Sequence, residues 1–176
     1  MKNNRENHII IGPVRLAYAH VWEPVSFNGE APRYSCVLLI PKEDTETVEK
    51  ICRASESALI RDIDRFGGTL PPKDGLRMPL RDGDAEDAKE AFRGCWYLKA
   101  KSRIAPGIVD RDLRRITAPD EIYSGCTVRA SLTFFAYSNI SGNGVTCALG
   151  NLQKIADGEE LGRYMSAADE FADADL

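Results

Sequence analysis

The pattern of apolar and polar residues first predicts two strands. Residues 14–19 alternate apolar with smaller or charged side chains, which is the period-two pattern of a half-buried strand. A second apolar run follows at residues 34–40, and Pro41 ends it because proline cannot donate to a strand ladder. The end of this run is apolar on both faces, so we expect another element to cover it.

A single helix is predicted after these strands. Asp44 or Thr45 can cap its first turn, and the Gly67-Gly68 pair ends it. The spacing of apolar residues predicts a buried helix face made of Val48, Cys52, Ser55, Leu59, Ile63 and Phe66. Residues 69–91, which contain several prolines and a charged stretch, are predicted to form a long loop.

Three more strands are predicted in the second half of the chain. Residues 95–101 alternate well, residues 126–138 give the clearest pattern, and residues 145–149 continue towards Ile155 after the hairpin sequence Gly142-Asn143-Gly144. A short strand is expected at Ile108 and Val109. The core face of the longest strand is predicted to consist of Cys126, Val128, Ala130, Leu132, Phe134 and Ala136.

These elements together predict the fold class and the domain organisation. Five main strands with one long helix between the early strands suit a mainly β, five-stranded barrel of the oligonucleotide/oligosaccharide-binding (OB) type. We predict this barrel domain at residues 8–160 and a flexible, disordered acidic tail at residues 161–176.

The charge is unevenly distributed along the chain. The net charge is −4, but seven of the 27 acidic residues and only one of the 23 basic residues lie within residues 157–176. Residues 1–156 therefore contain 20 acidic and 22 basic residues, a net charge of +2. Residues 1–156 are thus mildly basic and residues 157–176 strongly acidic, and this distribution alone does not indicate a nucleic-acid partner.

The composition argues against several classes of protein. Five cysteines without a Cys-x-x-Cys pair, and two histidines remote from them in sequence, indicate reduced thiols and no metal site. The chain has no phosphate-binding loop, nucleophile elbow or His-Glu-x-x-His motif, so we predict a protein that is not an enzyme and needs no cofactor. We expect a cytoplasmic protein without membrane contact, because no apolar run reaches about 18 residues and the apolar stretch near the start is too short for a signal peptide.

The outward faces of two predicted strands combine aromatic with basic residues. Aromatic rings stack on bases of any sequence and cations follow the phosphates, so this mixture is typical of a groove for a single strand. We predict nucleic-acid contacts from Tyr97, Lys99, Lys101, Arg103, Arg129, Phe135, Tyr137, Lys154 and Trp22. Two alternatives stay open: the aromatic residues can cover the helix or a dimer interface, and the basic run can be a solvated edge.

The last residues of the chain are acidic with a few apolar side chains among the charges. Such a segment can imitate the charge of DNA, occupy its own groove, or bind basic pockets of partner proteins. The alternative is a tail that only increases solubility. We predict that the partner-binding part consists of Asp169, Glu170, Phe171, Asp173 and Asp175.

The order of the segments resembles a family of phage and prophage single-stranded DNA-binding proteins that was formerly a domain of unknown function. The resemblance covers roughly residues 12–162, and its motifs are specific in combination. They are found at residues 12–19 (Gly-Pro-Val-Arg-Leu-Ala-Tyr-Ala), 34–42, 79–84 (Pro-Leu-Arg-Asp-Gly-Asp), 106–110, 123–126, 135–137, 142–144 and 151–155 (Asn-Leu-Gln-Lys-Ile). This chain departs from the family at its end, where Phe171 is internal and Asp175-Leu176 is last.

The resemblance implies an OB-type barrel that binds single-stranded DNA without sequence preference during phage replication or recombination. It also implies an acidic tail for contacts with replication or recombination proteins, and a homodimer as one form of the protein. Two rival functions remain: a recombination mediator without its own DNA binding, and a metal-dependent nuclease using acid pairs such as Asp110 with Asp112.

Overall fold

The computed structural model describes residues 6–161. Within this range the chain forms eight strands and one α-helix, with short 3₁₀ turns between them. The α-helix α1 spans Thr45–Arg61. The strands are β1 (His8–Val25), β2 (Arg33–Pro41), β3 (Leu76–Arg77), β4 (Leu80–Asp82), β5 (Cys95–Ser102), β6 (Ile108–Val109), β7 (Thr127–Asn139) and β8 (Gly142–Ala156).

Five long strands close into a barrel. The first half of β1 pairs with β7 and its second half with β2, β2 pairs with β5, and β7 pairs with β8, all antiparallel. A parallel contact between Lys101 of β5 and Ala148 of β8 closes the ring. Strand β1 can pair with both β7 and β2 because bulges after Ile11 and after Ala17 bend it around the barrel. The predicted five-stranded barrel with one helix is confirmed.

The inner faces of the strands form one continuous core. Each predicted core residue of β7 is buried, and Leu132 and Phe134 are fully so. They pack with inward residues of the other strands such as Leu16, Leu38 and Leu98. The period-two pattern therefore identified the buried face of β7 correctly, because one-sided burial fixes the register of a strand.

Helix α1 packs one face against this core. Asp44 caps it, because its carboxylate accepts the Thr47 backbone N–H at 3.2 Å. At the other end the Asp62 carboxylate accepts the Ala136 backbone N–H at 3.0 Å, which attaches the helix to β7. The predicted buried face was partly wrong: Cys52 is exposed. The residues that are buried are Ile51, Ala54, Ser55, Ala58 and Leu59.

Residues 69–91 were predicted to be a long loop, and this prediction is correct for most of the segment, but two short strands interrupt it. The two-residue strand β3 pairs in parallel with β8, and the three-residue strand β4 pairs antiparallel with β5. Residues 76–82, which we call the bridging segment, thus lie between the two barrel strands where these diverge from their contact at Lys101. No helix in the described part of the chain is long and apolar enough to span a membrane.

Candidate nucleic-acid interface

Strand β5 presents its basic residues outward. Leu98 and Ala100 are fully buried, so the intervening Tyr97, Lys99 and Lys101 lie on the outer surface of the barrel. Successive outward residues are about 7 Å apart along a strand. Lys99 and Lys101 are exposed, and Tyr97 is half-buried. The structure therefore groups these three predicted residues in one line.

Tyr97 belongs to a small aromatic cluster on the same surface. Its ring centroid lies 4.7 Å from that of Phe92, and the two planes are tilted by 31°. Phe92 also contacts Tyr18 edge-on, with 5.9 Å between the centroids, and the Lys89 ammonium lies 4.3 Å from the Tyr18 ring centroid. Part of the Tyr97 ring surface is therefore already covered by Phe92, which also holds the ring in place.

The aromatic residues of β7 lie on the neighbouring outer surface. Phe135 and Tyr137 are half-buried, and their cross-strand partners on β8 are Thr146 and Gly144. The Arg61 guanidinium, at the end of α1, lies 5.9 Å from the centre of the Phe135 ring. Phe135 thus has a contact with the helix, as one of the alternatives from the sequence proposed.

The bridging segment adds two arginines that the sequence analysis did not select. Leu76 and Leu80 pack against the barrel core, whereas Arg77 and Arg81 are exposed. Arg77 pairs with Gly144, beside Tyr137, and Arg81 pairs with Tyr97. The only signal in the sequence is the repeated Leu-Arg pair at 76–77 and 80–81, which is too short to indicate a strand.

An ion-pair cluster attaches the bridging segment to the barrel. The Lys42 ammonium lies 2.6 Å from a carboxylate oxygen of Asp82 and 2.6 Å from one of Asp84, and 5.0 Å from the centre of the Trp96 ring. Asp84 also accepts the Gly94 backbone N–H at 2.8 Å. The hydrogen bonds from Lys42 lower the pKa of both carboxyl groups, and hydrogen bonding to Asp82 and Asp84 in turn raises the pKa of Lys42.

A small cleft lies beside Lys101, where β1 turns into β2. Phe27, Arg33, Ser35 and Lys101 are among the residues that line it. Phe27 is exposed and meets the His20 ring edge-on at 5.8 Å, and burial lowers the pKa of His20. The Arg33 Nε atom is buried and has no hydrogen-bond partner among the described residues. Phe27 and Arg33 were also missed, since Phe27 lies in a loop without a periodic pattern and Arg33 lies at the very start of β2, before the predicted apolar run.

Three predicted residues lie apart from this group. Arg129 is eight residues from Tyr137 on β7, about 27 Å along the strand, and donates to Gln153 at 3.1 Å. The Lys154 ammonium pairs with Asp157 at 2.7 Å; burial opposes its charge, but the hydrogen bond to Asp157 raises the Lys154 pKa. Trp22 packs against the barrel core. Arg103, in contrast, stays close to Lys101 in the chain and is exposed one residue beyond the end of β5.

The predicted tail begins on this surface. Leu161 is buried in a cluster with Ala17, Leu39 and Phe92, on the outer side of β1 and β2. Its backbone N–H donates to the Ser124 carbonyl at 3.0 Å. The predicted partner-binding residues Asp169, Glu170, Phe171, Asp173 and Asp175 lie outside the described residues.

The described residues also bear on the nuclease alternative. No group of three or more histidine, cysteine, aspartate or glutamate side chains within residues 6–161 is arranged to hold a metal ion. Asp110 instead organises a turn, because its carboxylate accepts the backbone N–H groups of Asp112 and Arg114 at 2.8 and 2.9 Å.

Comparison with known proteins gives consistent results. The family described as "Enterobacter phage Enc34, ssDNA-binding protein" matches residues 7–176. A curated relative, putative protein p50 of Acyrthosiphon pisum secondary endosymbiont phage 1, is 32% identical over 177 aligned positions, which cover 96% of this chain and 94% of the relative. The matched family is one of DNA-binding proteins, in agreement with the prediction that the protein is not an enzyme.

Solved structures show the same fold. The single-stranded DNA-binding protein of bacteriophage Enc34 in complex with single-stranded DNA has a TM-score of 0.75 and 25% identity, and the match covers 90% of this chain and 91% of that one. The gp2.5 protein of bacteriophage T7, a single-stranded DNA-binding protein, has a TM-score of 0.62 and 19% identity over 96% of this chain and 94% of its own.

Proposed function

Since the chain belongs to the family of phage single-stranded DNA-binding proteins represented by that of Enterobacter phage Enc34, we propose that it binds single-stranded DNA across the outer face of β2 and β5. It does so without sequence preference and without catalysis, in phage DNA replication and recombination. The first observation behind this placement is the outward line of Tyr97, Lys99 and Lys101 on β5.

The position of this line in the barrel supports the proposal. OB folds bind oligonucleotides on the face of their second and third barrel strands, between the loop joining strands one and two and the loop joining strands four and five. Here those strands are β2 and β5, and the flanking loops are residues 26–32 and the β7–β8 hairpin. Phe27 lies at the first flank and Tyr137 at the second, so aromatic residues occur at both ends of the proposed groove.

Aromatic rings and cationic side chains have different roles in the proposed groove. Bases stack on exposed aromatic surface at Tyr97, Tyr137 and Phe27, and each stacked base contributes about 1–3 kcal/mol. Lys99, Lys101 and the following Arg103 neutralise phosphates, which makes binding salt-dependent. Every base has an aromatic face and every nucleotide a phosphate, so this arrangement does not select a sequence.

We propose fewer DNA-contacting residues than the sequence predicted. Lys154 stabilises the end of β8 through Asp157, and Trp22 contributes to the core, so we assign both to structural roles. Phe135 and Arg129 are peripheral in our proposal: the first contacts Arg61 of the helix end, and the second lies at the far end of β7.

The acidic tail occupies the same groove when DNA is absent and binds replication or recombination proteins when DNA displaces it. Two observations support this part of the proposal. Leu161 packs on the outer side of β1 and β2, beside the aromatic cluster, so the tail starts next to the proposed groove. The 15 residues that follow contain four acidic residues and one basic residue, whereas the groove contains lysines and an arginine. Dimerisation stays a prediction, which light scattering can measure.

The decisive experiment is a titration of fluorescent oligo-dT with the full chain and with a form ending at Gly162. A DNA duplex of the same length is the control, and each titration is done at low and moderate salt. We expect binding of the single strand that weakens with salt, spares the duplex, and strengthens when the tail is removed. Absence of single-strand binding by either form would contradict the proposal and favour the mediator function.

A further inference from the structure

The barrel has a seam that the bridging segment fills. Strands β5 and β8 pair directly at Lys101 and Ala148, and towards their N-terminal ends the bridging segment pairs with both of them. Along β5, Tyr97 lies four residues before Lys101. Along β8, Gly144 lies four residues before Ala148, and it pairs with Tyr137 of β7. The two aromatic residues are thus separated by the bridging segment and by Gly144 of β8.

Both arginines of this segment point the same way as the two aromatic residues. Residues directly opposite each other on paired strands share a face, so Arg81 lies on the side of Tyr97, and Arg77 lies on the side of Gly144 and Tyr137. Burial agrees with this assignment, because Leu76 and Leu80 pack against the core and the arginines are exposed. The Cα atoms of Arg77 and Arg81 can be at most about 14 Å apart, since the two residues are four positions apart in the sequence.

We propose that Arg77 and Arg81 bind phosphates of the DNA backbone and carry the strand across the seam, from bases at Tyr97 to bases at Tyr137. This inference rests on the proposed function and names a second part of its binding site. The ligand class is the phosphodiester backbone of a single strand. Arginine suits this role because its guanidinium group binds phosphate oxygens through two parallel hydrogen bonds.

The surroundings keep these two arginines available and fixed in place. The neighbouring carboxylates of Asp82 and Asp84 are engaged by Lys42 at 2.6 Å each, so they are not left to pair with Arg81. The same cluster attaches the end of β4 to Trp96 of β5. At the other end, the backbone of Arg77 lies directly over Gly144. A segment held at both ends orders its arginines before the DNA arrives, which lowers the entropy lost on binding.

The test compares two double variants of the full chain that remove equal charge. Arg77→Gln/Arg81→Gln changes the bridging segment, and Arg53→Gln/Arg114→Gln changes two exposed arginines on α1 and on the turn after β6. Glutamine keeps most of the aliphatic stem, and thermal unfolding verifies that both variants fold. The affinity for oligo-dT is measured over a range of salt concentrations.

We expect the first variant to reduce the slope of log K against log[salt] by about 1.4, since each phosphate contact on a single strand contributes about 0.7. The control variant should leave the slope close to that of the wild type. Equal slopes in the two variants would overturn the inference while the proposed function survives. No binding by the wild type would refute both.

A measurement on the unmodified protein covers the case in which the first variant does not fold. Phenylglyoxal modifies exposed arginines, and peptide mass spectrometry reports the extent at each one. Oligo-dT should slow modification of Arg77 and Arg81 at least several-fold, and should leave Arg53 and Arg114 unchanged. Equal rates at Arg77 and Arg81 with and without oligo-dT would overturn the inference.

Discussion

The hydroxyl group of Tyr137 lies 2.8 Å from the point where a Cβ atom of residue 144 would stand, so the tyrosine occupies the space above Gly144. The Cβ atom of Arg77 lies 3.0 Å from the same point. Gly144 is therefore the position at which β7, β8 and the bridging segment come together, and the absence of a side chain there allows Tyr137 and Arg77 to be neighbours.

This contact predicts the effect of Gly144→Ala. The added methyl group collides with the Arg77 backbone as well as the Tyr137 hydroxyl, so β3 or Tyr137 must move. We expect a loss of about 1–3 kcal/mol in the free energy of unfolding, as for other overpacked sites, and weaker binding of oligo-dT. Gly75→Ala is the matched control, since nothing lies within 4 Å of its added methyl group. Equal thermal midpoints for the two variants would contradict the contact.

Replacing Tyr97 or Tyr137 by Ala should weaken DNA binding at every salt concentration. Each ring is expected to contribute about 1–3 kcal/mol through stacking, which corresponds to a loss of roughly 5- to 150-fold in affinity for oligo-dT. The slope of affinity against salt should stay constant, because no charge is removed. Tyr97→Phe and Tyr137→Phe keep the ring and serve as controls. If the Phe variants lose as much affinity as the Ala variants, stacking is not the interaction.

The sequence predicted those parts of the fold in which one-sided burial repeats over many residues. Strand β7 has five buried positions in strict alternation, and this pattern identifies its two faces. The face of α1 was harder, because Ala54 and Ala58 form the contact while the larger Ile60 is 66% exposed. Small residues at a close helix contact carry little hydrophobic signal, so the period alone placed Cys52 on the wrong side.

The residues of the candidate site could also be predicted only where they follow a local pattern along one strand. Tyr97, Lys99 and Lys101 could be predicted as one surface, since they alternate along a single strand. Arg77 and Arg81 could not, because the bridging segment owes its structure to pairing with β8 and β5, at positions remote in sequence. Local patterns cannot report such pairing, particularly for strands of two or three residues.

The cysteines give a prediction that is independent of DNA. Burial raises the pKa of Cys36 to about 12 and that of Cys147 well above its ordinary value, and Cys126 is also buried. Only the thiolate reacts, so Ellman's reagent at pH 8 should modify the exposed Cys52 first in the folded protein. Half-buried Cys95 should follow slowly. Cys52→Ser should remove the fast phase, and a fast phase that persists would show that a core thiol is accessible.

Unfolding in denaturant provides the control for the thiols. All five cysteines of the chain should then react at similar rates, since burial no longer raises any pKa. A folded protein that reacts at all five positions at once would contradict the closed barrel core.

The Lys42 cluster predicts how stability depends on pH. Lys42→Met removes the partner of Asp82 and Asp84, so we expect a lower midpoint of thermal unfolding at neutral pH and low salt. Because Lys42 lowers the pKa of both carboxyl groups, its stabilisation is complete above the ordinary aspartate pKa of about 4 and is lost as the pH falls through the lowered values. It is lost again at high pH, as Lys42 deprotonates above its raised pKa.

The midpoints of wild type and Lys42→Met should therefore differ most between about pH 5 and 9 and converge below pH 4. High salt should also reduce the difference, because the ion pairs are partly exposed. Lys73→Met removes an exposed lysine in the turn before the bridging segment and is the matched control. The difference in thermal midpoint between wild type and Lys42→Met could instead stay constant from pH 7 to pH 3. This result would mean that the Lys42 side chain stabilises the fold by packing on Trp96 and that the ion pairs contribute nothing.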